Sequence, residues 1–172
     1  MRIHLTRAGQ WEECLTGDSC ELPYHSAEIT LEEAQRMPAM LLSQLLEALD
    51  PPTQQDELGK TWHDEAGAQH RDFDLPAVIT TSGHALWFRH GKLHRDGDKP
   101  AYISRTKQHW IQDGEFHREN DLPARIEGQP GRQTLEWYQH GQRHRDGGRP
   151  AIVNSNNSYG WYEHGKFIRF EF

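Results

Sequence analysis

Long apolar runs are missing from this chain: none approaches the roughly 18–20 residues that a membrane span needs, so no spanning helix is expected. The opening residues, Met1-Arg2-Ile3-His4-Leu5-Thr6-Arg7, hold no extended apolar stretch, and no secretory signal is expected. Two cysteines in 172 residues do not make a disulfide framework. A reducing cytoplasm, the host's if the protein is viral, is the expected compartment. Positive charge is not in excess either. The formal net charge is −7 with histidine neutral, so no direct nucleic-acid binding is expected. No P-loop, nucleophile elbow or H-E-x-x-H stretch is present. Apolar residues make up only 34% and mean hydropathy is −0.94, both low for a compact globule. Such values fit a thin array in which each unit buries surface only against its neighbours.

What the chain does have is a sentence written several times. Trp87-Phe88-Arg89-His90-Gly91-Lys92-Leu93-His94-Arg95-Asp96 closes with Pro100-Ala101-Tyr102-Ile103, and nearly the same text recurs over 110–126 and 137–153. A looser copy covers 62–79, and a truncated one begins at Trp161. His70 to Pro76, His94 to Pro100, His117 to Pro123 and His144 to Pro150 are each six residues apart. The tryptophans at 62, 87, 110, 137 and 161 step by 25, 23, 27 and 24. A period of 20–50 residues marks stacked supersecondary units.

Each unit reads as a β-hairpin. His90-Gly91, Asp113-Gly114, His140-Gly141 and His164-Gly165 sit between short aromatic and apolar runs, and such X-Gly pairs suit two-residue turns with positive φ. Counting outward predicts Arg89 opposite Lys92, Phe88 opposite Leu93 and Trp87 opposite His94. Ile111 then faces Phe116, and Tyr138 faces Arg143. The residues before each Pro-Ala are turn-rich, and Ala-x-Ile should resume a short strand.

The pattern W-[FYI]-x-x-G-x-x-H-R-[DE]-x-x-x-P-A resembles the MORN-like hairpin repeats found in bacterial, phage and giant-virus proteins. The resemblance spans residues 62–172. This version carries His-Arg where the commoner unit is Gly-rich, and the last copy has Ile168 in place of the triplet His. The resemblance implies a mainly β fold: an elongated antiparallel sheet of about four and a half hairpin repeats that binds partners rather than catalyses. It also implies a phage or prophage accessory role, for example inhibition of a host defence complex.

Ahead of the repeats, residues 1–57 read as a small α-helical cap, with 58–172 as the array. Ile3 and Leu5 alternate with polar neighbours, as in a short strand. Thr30-Leu31-Glu32-Glu33 is a capping box that starts a helix to about Met37. Pro38 opens a second helix to about Leu49, with Leu41, Leu42, Leu45, Leu46 and Leu49 on one stripe. That stripe either covers the first hairpin or docks a partner. Asp50-Pro51-Pro52 ends the helix, and 53–57 reads as a polar linker. Cys14, Cys20 and His25 form a candidate zinc set, but the spacing is wider than usual and buried thiols are the preferred reading. No cofactor is expected.

Four His-Arg-Asp/Glu triplets invite a chemical reading, because histidine beside a carboxylate can act as a general base. Equal repetition argues for structural columns instead, since an active site needs one asymmetric constellation. The preferred function is therefore non-enzymatic binding of a protein partner. The alternatives are a small-ligand or nucleotide sponge using Arg71, Arg95, Arg118 and Arg145, and a metal-dependent hydrolase using the His/acid face. The last strand, 167–172, is expected either to be covered by an earlier element or to be a contact strand. Phe170 and Phe172 are its binding candidates, and a homodimer is the favoured assembly. Simple alternation places Ile168, Phe170 and Phe172 on one face and Phe167, Arg169 and Glu171 on the other.

Overall fold

The computed structural model describes residues 50–172, together with the backbone of residues 3–5 and 11–13. The strand expected around Ile3 and Leu5 is present: β1 (Ile3–Leu5) pairs antiparallel with β2 (Trp11–Glu13). The two helices expected within 30–49, and Cys14, Cys20 and His25, lie outside the described residues. The described residues contain strands and turns and no helix.

From residue 50 the chain runs through β3 (Gln54–Asp56), β4 (Gly59–Thr61), β5 (Val78–Thr80), β6 (Ala85–Leu86), β7 (Phe88–Arg89), β8 (Lys92–Leu93), β9 (Tyr102–Ile103) and β10 (Lys107–His109). Next come β11 (Ile111–Gln112), β12 (Glu115–Phe116), β13 (Arg125–Gln129), β14 (Arg132–Glu136), β15 (Tyr138–Gln139), β16 (Gln142–Arg143), β17 (Ile152–Val153), β18 (Tyr159–Glu163) and β19 (Lys166–Glu171).

The X-Gly turns form as their residues require. Both central residues are left-handed in each, from His90 and Gly91 at φ 46° and 80° to His164 and Gly165 at 45° and 79°. The expected register follows. Phe88 pairs with Leu93, Ile111 with Phe116 and Tyr138 with Arg143. The triplet His N–H donates to the Trp carbonyl in all four copies, at 3.0–3.2 Å. The first copy, which has one residue more between Trp62 and Gly67 than its siblings have between Trp and Gly, keeps that bond and has a bridge between His63 and Gln69 in place of the two-stranded ladder.

These hairpins do not make the main sheet. β7–β8, β11–β12 and β15–β16 are separate two-stranded ladders. The 11-stranded antiparallel sheet is built instead from the strands between them, in the order β19-β18-β17-β14-β13-β10-β9-β6-β5-β4-β3. The reason is local. Proline has no N–H to continue a ladder, and the Trp N–H reaches across to the carbonyl of its own repeat's Pro-Ala alanine at 2.7–2.8 Å. Each X-Gly hairpin and its following loop thus close on themselves and leave the sheet to the residues on either side. In the last copy, β18 and β19 join the main sheet directly.

The residues expected as a polar linker, 53–57, supply β3, which pairs with β4. Asp50-Pro51-Pro52-Thr53 occupies the place that Asp98-Lys99-Pro100-Ala101 holds in a full copy, each preceding a sheet strand. The array therefore begins with a partial unit at Asp50.

The core is thin and repeated. Ala77, Ala101, Ala124 and Ala151 are fully buried, and Trp62, Trp110 and Trp137 are nearly so. Trp110, Ala124 and Tyr138 pack together with Phe116 and Ile126 against them. A buried Trp removes on the order of 200 Å² from water, about 5 kcal/mol before the entropy of ordering it, which is how few apolar residues suffice.

Candidate functional site

Between successive copies lies a clamp made from one aspartate, one tryptophan and one arginine. Two consecutive residues before each x-Pro-Ala are left-handed: Phe73-Asp74, Gly97-Asp98, Asn120-Asp121 and Gly147-Gly148. That turn aims both the carbonyl and the carboxylate of the second residue at the following copy. The carbonyls of Asp50, Asp74, Asp98 and Asp121 accept the indole N–H of Trp62, Trp87, Trp110 and Trp137 at 2.9–3.1 Å. Their carboxylates accept the guanidinium of Arg71, Arg95, Arg118 and Arg145, with Nε at 2.6–2.9 Å. The last three are bidentate, with Nη2 at 3.1 Å. Each guanidinium also lies 3.6–3.8 Å over its Trp ring and donates to its own repeat's Pro carbonyl.

The four candidate ligand-binding arginines are thus the central members of four clamps, with side chains only 5–17% exposed. The fork that could receive a phosphate receives the neighbouring copy's carboxylate. Hydrogen bonds from Arg118 and Arg145 hold the Asp98 and Asp121 carboxyls below their ordinary 3.8. At Asp74 burial pushes upward, but Arg95 and Lys99 outweigh it and the net shift is downward.

The triplet histidines link the same copies on a second line. Nε2 of His70, His94, His117 and His144 meets the acid of its own triplet at 2.9–3.3 Å. Nδ1 accepts the backbone N–H of the next X-Gly turn, from His90, Asp113, His140 and His164, at 3.0–3.3 Å. An accepting Nδ1 leaves Nε2 to carry the hydrogen toward the acid. Three of the rings stack on the next turn's histidine, with centroids 4.2–4.4 Å apart. Both nitrogens of each triplet histidine therefore have partners within the array. Among the described residues, no group of three or more His, Cys, Asp and Glu is placed to hold a metal ion.

One constellation breaks the repetition. The buried Glu136 precedes Trp137, where other copies have Thr61, Leu86, His109 and Gly160. It accepts Arg125 Nη1 at 2.6 Å, Arg143 Nε at 2.8 Å and the Tyr138 hydroxyl at 3.0 Å. Arg125 also reaches Glu127, which meets His109 at 2.8 Å. Burial pushes His109 down despite Glu127, and burial with Glu136 pushes the Tyr138 hydroxyl up. Sequence reasoning misses this network, because its only trace is a charged residue immediately before a repeat Trp.

Around that network runs a column of rings. His84, Tyr102, His109, Phe116 and Tyr138 follow one another at centroid spacings of 4.9–5.6 Å. The Arg143 guanidinium bridges Tyr138 and Tyr162 at 5.5 and 5.4 Å, and Tyr162 meets Phe167 at 5.5 Å. The column therefore ends on β19.

β19 is an edge of the sheet, paired only with β18 among the described strands, and all of it is exposed. Phe167, Ile168, Phe170 and Phe172 are 60, 52, 40 and 98% exposed. The alternation expected from sequence does not hold, because the register shifts at Trp161/Tyr162. Tyr162 pairs with Phe167 and Trp161 with Arg169, which leaves Ile168 as the extra residue of a bulge. Phe167 thereby joins the Phe170 face, opposite Tyr162 and Gly160, while Arg169 stacks on Trp161 at 4.1 Å. Phe170 and Phe172, both binding candidates, touch edge to face at 5.1 Å. Among the described residues no helix is long and apolar enough to cross a membrane. No family model, curated protein or solved structure matches the chain.

Proposed function

We propose that this is a non-enzymatic protein-interaction module, a MORN-like hairpin array that meets its partner through β19. The observation that carries the reading is a six-residue edge strand whose outer side has no partner among the described residues, bearing three exposed apolar side chains with a fourth, Phe172, just beyond its end. Exposed edges of that kind template pairing with another chain, and soluble proteins ordinarily blunt them. The opposite edge is blunted: β3 is three residues long, wholly polar and preceded by Pro51-Pro52. The arginine and histidine columns support the same reading, since the guanidinium forks and the ring Nδ1 atoms are taken up by neighbouring copies.

The test is cross-linking mass spectrometry on tagged full-length protein in cell extract, beside the Phe167→Ser/Phe170→Ser chain. Cross-links from Lys166 to another protein molecule, identical or different, are expected with the parent and lost with the substituted chain. Intermolecular cross-links that are unchanged by the substitutions, or tightly retained nucleotide in the purified protein, would refute the proposal.

A further inference from the structure

We infer that the molecule paired to β19 is a second copy of this chain, related by a two-fold axis at Phe170. The inference rests on β19 being the contact strand and adds the identity and register of what binds it. An antiparallel pair of identical strands related by a two-fold axis places one residue opposite itself, and that residue defines the register. Centred on Arg169, the pair sets two guanidinium groups face to face. Centred on Glu171, it sets two carboxylates face to face. Like charges directly opposite are destabilising. Centred on Ile168, it falls on the bulge, where the strand is irregular.

Centred on Phe170, every facing pair is complementary. Arg169 lies opposite Glu171 of the second copy, and Glu171 opposite Arg169 of the second copy. Phe170 faces Phe170, and the bulge at Ile168 bounds the paired segment. The geometry within one copy already favours this pairing. Arg169 and Glu171 share a face, with Arg169 Nε 2.9 Å from Glu171 Oε1, so both charges are held where an opposing strand would meet them. Phe170 lies on the other face with Phe167, so the ring column of one copy would continue into that of the next. Backbone hydrogen bonds along the edge supply affinity, and the alternating side chains select the partner.

Light scattering after size exclusion, on the full chain at micromolar concentration, should give twice the 20.0 kDa chain mass. Arg169→Glu alone turns both cross-strand pairs into facing carboxylates, and Glu171→Arg alone turns both into facing guanidinium groups. Each should weaken the dimer by about tenfold. An equimolar mixture of the two variants should associate again, because each supplies the charge the other lacks. A double exchange within one chain should restore self-association.

A parent protein of single-chain mass at all concentrations would overturn the inference. So would single variants that dimerise as well as the parent, or a mixture no tighter than its components. If the parent is monomeric but Phe167→Ser/Phe170→Ser still abolishes cross-links to another protein, self-pairing is refuted and the contact strand stands. If those cross-links are also unaffected, both readings fall.

Discussion

His117 offers the sharpest test of how neighbouring copies hold together. Its ring is buried, accepts the His140 N–H at 3.2 Å through Nδ1, faces Glu119 at 2.9 Å through Nε2 and stacks on His140. His117→Ala removes one inter-copy hydrogen bond, about 1 kcal/mol. It also removes the ring's packing, about 1–2 kcal/mol at the usual value per buried area. The sum, roughly 2–3 kcal/mol, corresponds to a fall in Tm of about 5–10 °C for a chain of this size. The Glu119 contact adds little, since that carboxylate is 76% exposed. Isosteric replacements separate the two nitrogens. Asn puts an acceptor near the Nδ1 position, and Gln puts a donor near Nε2. His117→Asn should therefore recover more stability than His117→Gln, with restored amide protection at His140. The control is His164→Asn, because the left-handed φ of 45° there would penalise Ala for an unrelated reason. Thermal and urea unfolding with amide exchange at His140 decide the matter. A neutral His117→Ala, or Gln outperforming Asn, would refute the inter-copy role of Nδ1.

Two other outcomes follow from the clamps. Arg118→Lys should destabilise by about 1–3 kcal/mol despite keeping the charge, because an ammonium gives up the bidentate contact and the flat stack on Trp110; the urea midpoint measures this, and a Lys variant as stable as the parent would sink the clamp argument. Acid should loosen the array: Asp74, Asp98 and Asp121 have carboxyls lowered in the fold, so they contribute stability above the ordinary value of 3.8 that is lost as pH falls through their folded values. The slope of stability against pH below about 4 should therefore shrink in Asp98→Asn.

Much of the X-Gly hairpin was legible because its signals are local. His-Gly and Asp-Gly specify the turn, and the turn specifies that Trp87 meets His94. The main sheet was not legible from the same kind of signal. Strands of two or three residues such as Lys107-Gln108-His109 show no usable alternation, and Gln54-Gln55-Asp56 reads as linker. Their order comes from where the Trp and Pro-Ala residues close each loop. The aspartates at 74, 98 and 121 looked like turn residues and are that, but the left-handed backbone also turns their carboxylates toward the next copy. That second role depends on stacking distance, which one copy read alone does not contain. On β19, the bulge moved Phe167 across the strand, and strict alternation has no way to announce an extra residue.

The clamp also has a direction. Each copy offers a carboxylate forward and receives one from behind, so copies are plugs and sockets rather than mirror images. Gly148 is the exception. Its carbonyl still holds the Trp161 indole at 3.0 Å, but it has no side chain to give, and Arg169 turns to Glu171 on its own strand. The plug that begins the series is Asp50, which has no hairpin of its own copy within the described residues before it. A unit duplicated anywhere between Asp50 and Asp121 would find a carboxylate behind it and present one ahead. At the clamp itself, a unit placed after Gly148 would keep the indole hydrogen bond but lack the ion pair that its siblings have. Cohesion along the array is thus set joint by joint, and a single side chain decides whether the next joint is tight.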